Sequence, residues 1–305
     1  MTITDASIEV PPIVVDDFDS EFGNQSIFAR YRSNRIAIAA LILLAILLTC
    51  AVLGRFIMPY DPNEQDLSNA LRGPSRRHLA GTDAYGRDVL SRLIAGAAVS
   101  MKAAVQATSI GLAIGVPMGM FAGFVGGFID TILSRMNDGL MAVPGIIFAL
   151  SVVAALGPSL TNAMLAIGIL FIPLFFRVAR AATVGVREET YIEACQAIGC
   201  TRSRTIWRHI FPNVLSPIVV QVALLAGVAI GAEASLSFLG IGVAPPQASW
   251  GAMVQSAIAD MEREPFLVVF PGICITMTVM ALTFVGDGLR DALGTRRIGA
   301  RSSAA

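Results

Sequence analysis

Several stretches of the chain carry no charged side chain, and their lengths are those of helices that cross a bilayer. Ile36–Gly54 is 19 residues long and Ala103–Ile129 is 27, against the roughly 20 apolar residues that one crossing needs. Gly139–Phe176 runs for 38 residues, too many for one helix. Gly157-Pro158 interrupts it where a turn would divide it into two spans. Ile210–Ala232 and Pro265–Gly286 complete a predicted set of six. The uncharged stretch Ala234–Ala259 reads differently, because Pro245, Pro246, Gln247 and Ser249 would leave backbone groups unpaired in lipid. It is expected to form a loop or a partly re-entrant segment packed on protein.

Between the fourth and fifth predicted spans lies the longest polar connection, residues 178–211. Thr190-x-x-Glu193 is a capping-box pattern that starts a short helix, and Gly199 is placed to end it. Thr201 or Ser203 then caps a second helix, in which Ile206, Trp207 and Ile210 alternate with Arg202, Arg204 and Arg208 until Pro212 stops it. A paired-helix loop of this regularity between spans is built to dock.

Composition strengthens the membrane reading. Hydrophobic residues make up 55% of the chain and charged residues 14%, where soluble domains carry roughly 25% charged; the mean hydropathy is +0.69. The fold class expected is therefore all-α integral membrane. Residues 1–30 form an acidic cytoplasmic tail expected to be disordered, 31–295 the six-span domain and 296–305 a second cytoplasmic tail. The first 26 residues hold Asp5, Glu9, Asp16, Asp17, Asp19 and Glu21, with no basic residue. That is unlike a signal peptide, and no cleavage is expected.

Charge sets orientation and excludes some chemistry. With a cytoplasmic N-terminus, 14 basic residues fall inside and 8 outside, and six arginines after span four (Arg177, Arg180, Arg187, Arg202, Arg204, Arg208) would resist translocation. Acidic and basic residues balance at 22 each, so charge points to no nucleic-acid partner. Lys102, the single lysine, follows Met101, which excludes the Gly-Lys pair of an ATP-cradling loop. Two histidines and four cysteines without C-x-x-C or H-E-x-x-H spacing predict no metal centre. No nucleophile, base and acid set marks the chain as an enzyme.

Glu193-Ala194-Cys195, three residues, Gly199, nine residues, then His209-Ile210-Phe211-Pro212 resembles the EAA loop of ABC-importer permeases. Cys195, His209 and Phe211 depart from the usual Ala, Ile and Leu. GTDAYGRDVLSRLIAG (residues 81–96), LSFLGIGVAPPQASWG (236–251) and FVGDGLRDAL (284–293) narrow the resemblance to the second permease subunit of dipeptide/oligopeptide importers and their nickel-transporting relatives. The resemblance implies a multi-pass subunit of a bacterial cytoplasmic membrane, with both ends cytoplasmic, forming half of a path for di- or oligopeptides or similar small solutes. It also implies a homologous second permease chain, an extracytoplasmic binding protein and two ATPase subunits. Those ATPase subunits, not this chain, would bind ATP and Mg. The coupling residues carried over are Glu193, Ala194, Cys195, Gly199, Arg202, Trp207 and Pro212.

Bland readings stand beside these. Glu193 is also a capping partner, and Trp207 packs under the loop or anchors in a partner's groove. Glu233, Asp88 and Arg92 are candidates for a pathway or gate, though a paired structural Glu233 fits equally. Asp88 and Arg92, four apart, suggest an outer helix capped by Thr82 or Asp83 and leading into span two. Arg135 and Asp138 are expected to pair locally, as are Asp287 and Arg290. Gly111, Gly115, Gly119, Gly123 and Gly127 recur every four residues, either as an interface with another subunit or as packing within the chain. Rival classes are an ion-coupled secondary transporter, which would show internal repeats and interrupted helices near the midplane with coupling acids, and a membrane scaffold, which would need no such loop.

Overall fold

The computed structural model describes residues 27–294, so residues 1–26 of the first expected tail and the whole of the second lie outside the described residues, while 27–30 are helical. Helix α1 (Ile27–Ser33) leads into α2 (Arg35–Ile57), where the Asn34 carboxamide accepts from the amides of Ile36 and Ala37 at 3.1 Å each. The segment 58–88, irregular but for one 3-10 turn at Leu67–Asn69, precedes α3 (Val89–Val125); α4 (Gly127–Met141), α5 (Gly145–Leu156) and α6 (Leu160–Arg187) follow. Then come the short α7 (Thr190–Ala197), the long α8 (Arg202–Phe238), α9 (Trp250–Ala257) and α10 (Phe266–Gly294).

Five helices, α2, α3, α6, α8 and α10, are long and apolar enough to cross a membrane, and a sixth crossing is reached if α4 and α5 are one broken span bent by 83°. The uncharged run from Gly139 predicts a straight third span, yet the chain breaks at residues 142–144. Pro144 lacks an amide hydrogen and restricts Val143, so a helix cannot continue through it cheaply. The turn expected at Gly157-Pro158 is present: Gly157 has φ +90°, and the Ser159 hydroxyl accepts from the Asn162 amide at 3.1 Å. Helix α3 begins fourteen residues before the charge-free stretch does. Its head, Val89–Lys102, is amphipathic, so a test for uncharged residues misses it.

The two longest-contacting helices, α3 and α6, run side by side in the same direction and form the centre of the fold. A Cβ added at Gly115 would lie 2.5 Å from the Ile172 carbonyl oxygen, and one at Gly119 would lie 2.4 Å from that of Phe176. Gly111 and Gly123 meet Phe171 and Arg180 in the same way. The glycine stripe is thus packing within this chain. Gly127 is not part of it; with Gly126 it turns the chain from α3 to α4 at positive φ. Around the seam sits one apolar core, with Met164, Phe171, Phe175, Ile210, Val214 and Ile230 buried.

A second core lies at the 58–88 end. Ala80, Val89, Leu93, Trp250, Met253 and Leu267 pack there, and the Trp250 indole donates to the Leu93 carbonyl at 2.9 Å. The stretch 234–259 is no span, in line with its prolines: it holds the end of α8, a turn, and α9 wedged against α8 and α10. At the opposite end, Gly288 of α10 abuts Ala37 and Tyr31, which brings residues near 27 and 294 to the same end as the 188–212 connection.

Candidate functional site

The 188–212 connection is a short helix pinned to the bundle by a few buried side chains. Helix α6 ends at Arg187, Glu188 and Glu189 turn the chain, and the Ile192 amide donates to the Glu189 carbonyl at 2.9 Å. Thr190 is already helical, one place later than a cap. Ile192 and Cys195 face inward and are buried, while Glu193, Ala194, Ala197 and Ile198 face out, Ile198 with 83% of its surface exposed. Gly199 ends the helix as expected, in the left-handed region at φ +85°, with the Cys200 amide donating back to the Cys195 carbonyl at 3.0 Å. The Cys195 side chain beside Cys200 pushes the Cys200 thiol pKa up.

Thr201, at φ −67° and ψ 147°, starts the second helix. Arg202, Arg204 and Arg208 are exposed, whereas Thr205 and Ile210 are buried. Pro212 does not stop this helix. Residues Thr205–Ile210 form a π turn closed by the Phe211 amide donating to the Ile206 carbonyl, and α-helix resumes at once, with Pro212 in its first turn. The wider π backbone makes room ahead of the pyrrolidine ring, and such turns occur often at functional sites. Trp207 is 60% exposed, its ring 5.5 Å from that of Phe211. It is therefore not packed under the loop. Asn213 ties the halves together, donating to the Tyr191 hydroxyl at 3.2 Å and to the His209 carbonyl at 2.7 Å. Partial burial, followed by the charge of Glu189, raises the Tyr191 pKa.

The three candidates for a pathway or gate are not gathered around one passage. Asp88 itself caps α3, in place of Thr82 or Asp83: its carboxylate accepts from the Ser91 amide and hydroxyl at 2.8 Å each and lies 2.9 Å from His78 Nδ1. Arg92 does not pair with Asp88. It donates to the Pro62 carbonyl at 2.9 Å and sits 3.6 Å from Asp83, which also holds Arg87 at 2.7 Å. A cavity of about 320 Å3 opens beside Arg87 and Arg92, floored by Val89, Met253 and Leu267. Glu233 lies deeper, buried to 1% exposure, and accepts from the Ser237 hydroxyl at 2.7 Å and from that of Ser100 at 3.3 Å. It therefore bridges α8 to α3 through hydroxyl groups, and among the described residues no ion pair includes it.

Two local ion pairs expected from spacing do not form. Asp138 pairs with Arg177 of α6 at 2.9 Å instead of Arg135, and among the described residues no ion pair joins Asp287 to Arg290. Asp130 and Arg180, to which the sequence reading assigned no site, form a two-pronged pair between α4 and α6. The signal available was the spacing of Asp130 and Asp138 on one face of a helix, opposite Arg177 and Arg180.

Residues 115–299 match the family described as binding-protein-dependent transport system inner membrane component. Residues 24–74 match the N-terminal TM domain of oligopeptide transport permease C. A glutathione transport system permease protein, GsiD, of Shigella flexneri serotype 5b (strain 8401) is 45% identical over 265 residues, covering 87% of this chain and 88% of that protein. Its namesakes in Escherichia coli O6:K15:H31 (strain 536 / UPEC) and Shigella boydii serotype 4 (strain Sb227) are 43% identical over the same shares.

Proposed function

The chain belongs to the family of binding-protein-dependent transport system inner membrane components, as a permease subunit of the dipeptide/oligopeptide ABC-importer type, and on that premise we propose that its 190–212 connection is where partner ATPases drive it. It is a transporter subunit and not an enzyme. The observation that carries the coupling reading is the pairing of exposed apolar groups, Tyr191, Ile198 and Trp207, with exposed Arg202, Arg204 and Arg208 on a segment anchored by buried Ile192, Cys195 and Ile210. Exposed Trp beside Arg is the composition of binding hot spots. A segment anchored on one face and open on the other transmits force without unfolding.

In this reading two ATPase chains carry ATP and Mg, a homologous permease completes the pathway, and an extracytoplasmic binding protein delivers the solute. The 190–212 connection and both chain ends face the cytoplasm. Glu193 and Gly199 act at the docking surface, where Gly199 presents open space to a partner's backbone. Driving a two-state path from 1:99 to 99:1 takes about 5.5 kcal/mol of differential interaction, and contacts that change with nucleotide state supply it here. The solute is a short peptide, glutathione first among those to test, because the relatives above are named for its transport.

The test is uptake by vesicles holding the complete importer, with radiolabelled glutathione and dipeptides offered separately. Glu193→Lys and Gly199→Asp should insert normally and lower uptake about tenfold or more, the scale of a lost hot spot. Parental uptake by both variants would remove the coupling role.

A further inference from the structure

The geometry points to Asp130 and Arg180 as positioning residues that make the bent third span follow the coupling loop. This rests on the reading that ATPases act on residues 190–212. Helix α4 packs against α3 and α6, and α5 packs against α6. Its polar ties to α6 are specific. Arg180 donates through Nε and Nη2 to the two oxygens of Asp130, the second at 2.6 Å, and the Ser134 hydroxyl also reaches that carboxylate. Further along, Arg177 donates to Asp138 at 2.9 Å. Arg187 donates to the carbonyls of Gly123 and Phe124 at 3.2 Å each, at the end of α3.

Three arginines on the last half of α6 thus hold the end of α3 and the whole of α4. The next residues of that same helix lead directly into α7. A two-pronged arginine-carboxylate pair fixes orientation as well as distance, so a rotation of α6 is passed to α4 with little slack. Asp130 is 16% exposed at its side chain, whereas Asp138 and Arg177 are about half exposed; exposed pairs contribute little, which places the working contact at Asp130. Beyond α4 the helix breaks at 142–144 with the 83° bend. That break is the hinge through which a turn of α4 swings α5, and Phe128, Ile132 and Met136 of α4 are exposed.

The experiment measures ATP hydrolysis and uptake together in vesicles holding the complete importer. Asp130→Asn and Arg180→Gln should keep hydrolysis within about twofold while uptake per ATP falls about tenfold, a typical allosteric coupling. The reversed pair, Asp130→Arg with Arg180→Asp, should recover most of the lost uptake, and Asp130→Glu should behave like the parent. Arg177→Gln, at the exposed pair, should change uptake less than about twofold. Parental uptake by both single variants, or a reversed pair as poor as they are, overturns the proposal. Gly199→Asp run alongside separates the readings. If it transports like the parent, the coupling loop itself has been misread; if it uncouples while Asp130→Asn transports normally, only the lever falls.

Discussion

The two ends of the helix bundle differ in whether they hold a buried network of paired charges. At the 58–88 end one set of charges is buried or half-buried and partnered, with Asp88 holding His78 and Ser91 and Asp83 holding Arg87 and Arg92 above a second apolar core around Trp250, while Arg72, Arg76, Arg77, Leu67 and Leu79 are exposed. At the 188–212 end, Ile198, Trp207 and Tyr191 are exposed next to three exposed arginines. Burial of a charge is tolerated when it is paired and hydrogen-bonded, and exposure of a large apolar group is informative when it recurs in one place. The first end holds a partnered and largely buried charge network. Among the described residues the 188–212 segment holds no ion pair, and its arginines are exposed.

The difference can be broken at several points, beginning with the seam that supports both ends. Gly119→Leu drives a side chain into the Phe176 carbonyl and should cost about 3 kcal/mol, the upper range for overpacking, visible as a lowered unfolding temperature in detergent and as loss of structure at both ends. Asp88→Ala removes three polar contacts from a buried site, one of them the cap of α3; about 2 kcal/mol is expected, with the damage confined to the 58–88 end. Trp207→Ala should do the reverse. Its effect on stability is expected within about 0.5 kcal/mol, yet ATPase binding, followed by co-purification or titration, should weaken about tenfold.

The smallest effects are in titration. Ser68 and then Asn69 hydrogen-bond the Asp66 carboxylate and hold its pKa below the ordinary value. A depressed folded-state pKa contributes stability above the unfolded value and loses it as pH falls through the folded one. Proteolysis within 58–88 should therefore rise as the pH falls into the acidic range in the parent, and Asp66→Asn should weaken that dependence. At the other end, the raised Cys200 pKa means less thiolate at neutral pH, so a maleimide should label Cys200 more slowly than a free thiol. Bound ATPase should slow it further.

Much of this architecture was legible in residue order. Charge-free runs located the apolar spans because lipid excludes charge whatever the tertiary fold. Gly157-Pro158 and Gly199 marked turns because their backbone requirements are local. The spacing from Glu193 to Pro212 located the connection that the structure leaves exposed. Pro212 misled, since the π turn that accommodates it leaves no mark in the residue types around it. The head of α3 escaped the charge-free count because an amphipathic helix that leaves the apolar layer carries charges such as Arg92, but the spacing of Asp88 and Arg92 announced an outer helix leading into span two, with Asp88 in the capping place expected of Thr82 or Asp83. Asp138 chose Arg177 over Arg135, and Asp130 chose Arg180, because pairing is decided by which helices become neighbours. Spacing along one helix cannot report that. The glycine stripe was readable as a close-approach surface, while its partner, α6, was not.

The most direct test of the contrast between the ends is hydrogen exchange, measured by mass spectrometry on the complete importer in mild detergent with its ATPase chains bound and again after they are stripped. Bound ATPases should slow exchange across residues 190–212 and leave 58–88 unchanged. Unchanged exchange at 190–212, with protection gained elsewhere, would contradict the assignment of this connection as the coupling surface.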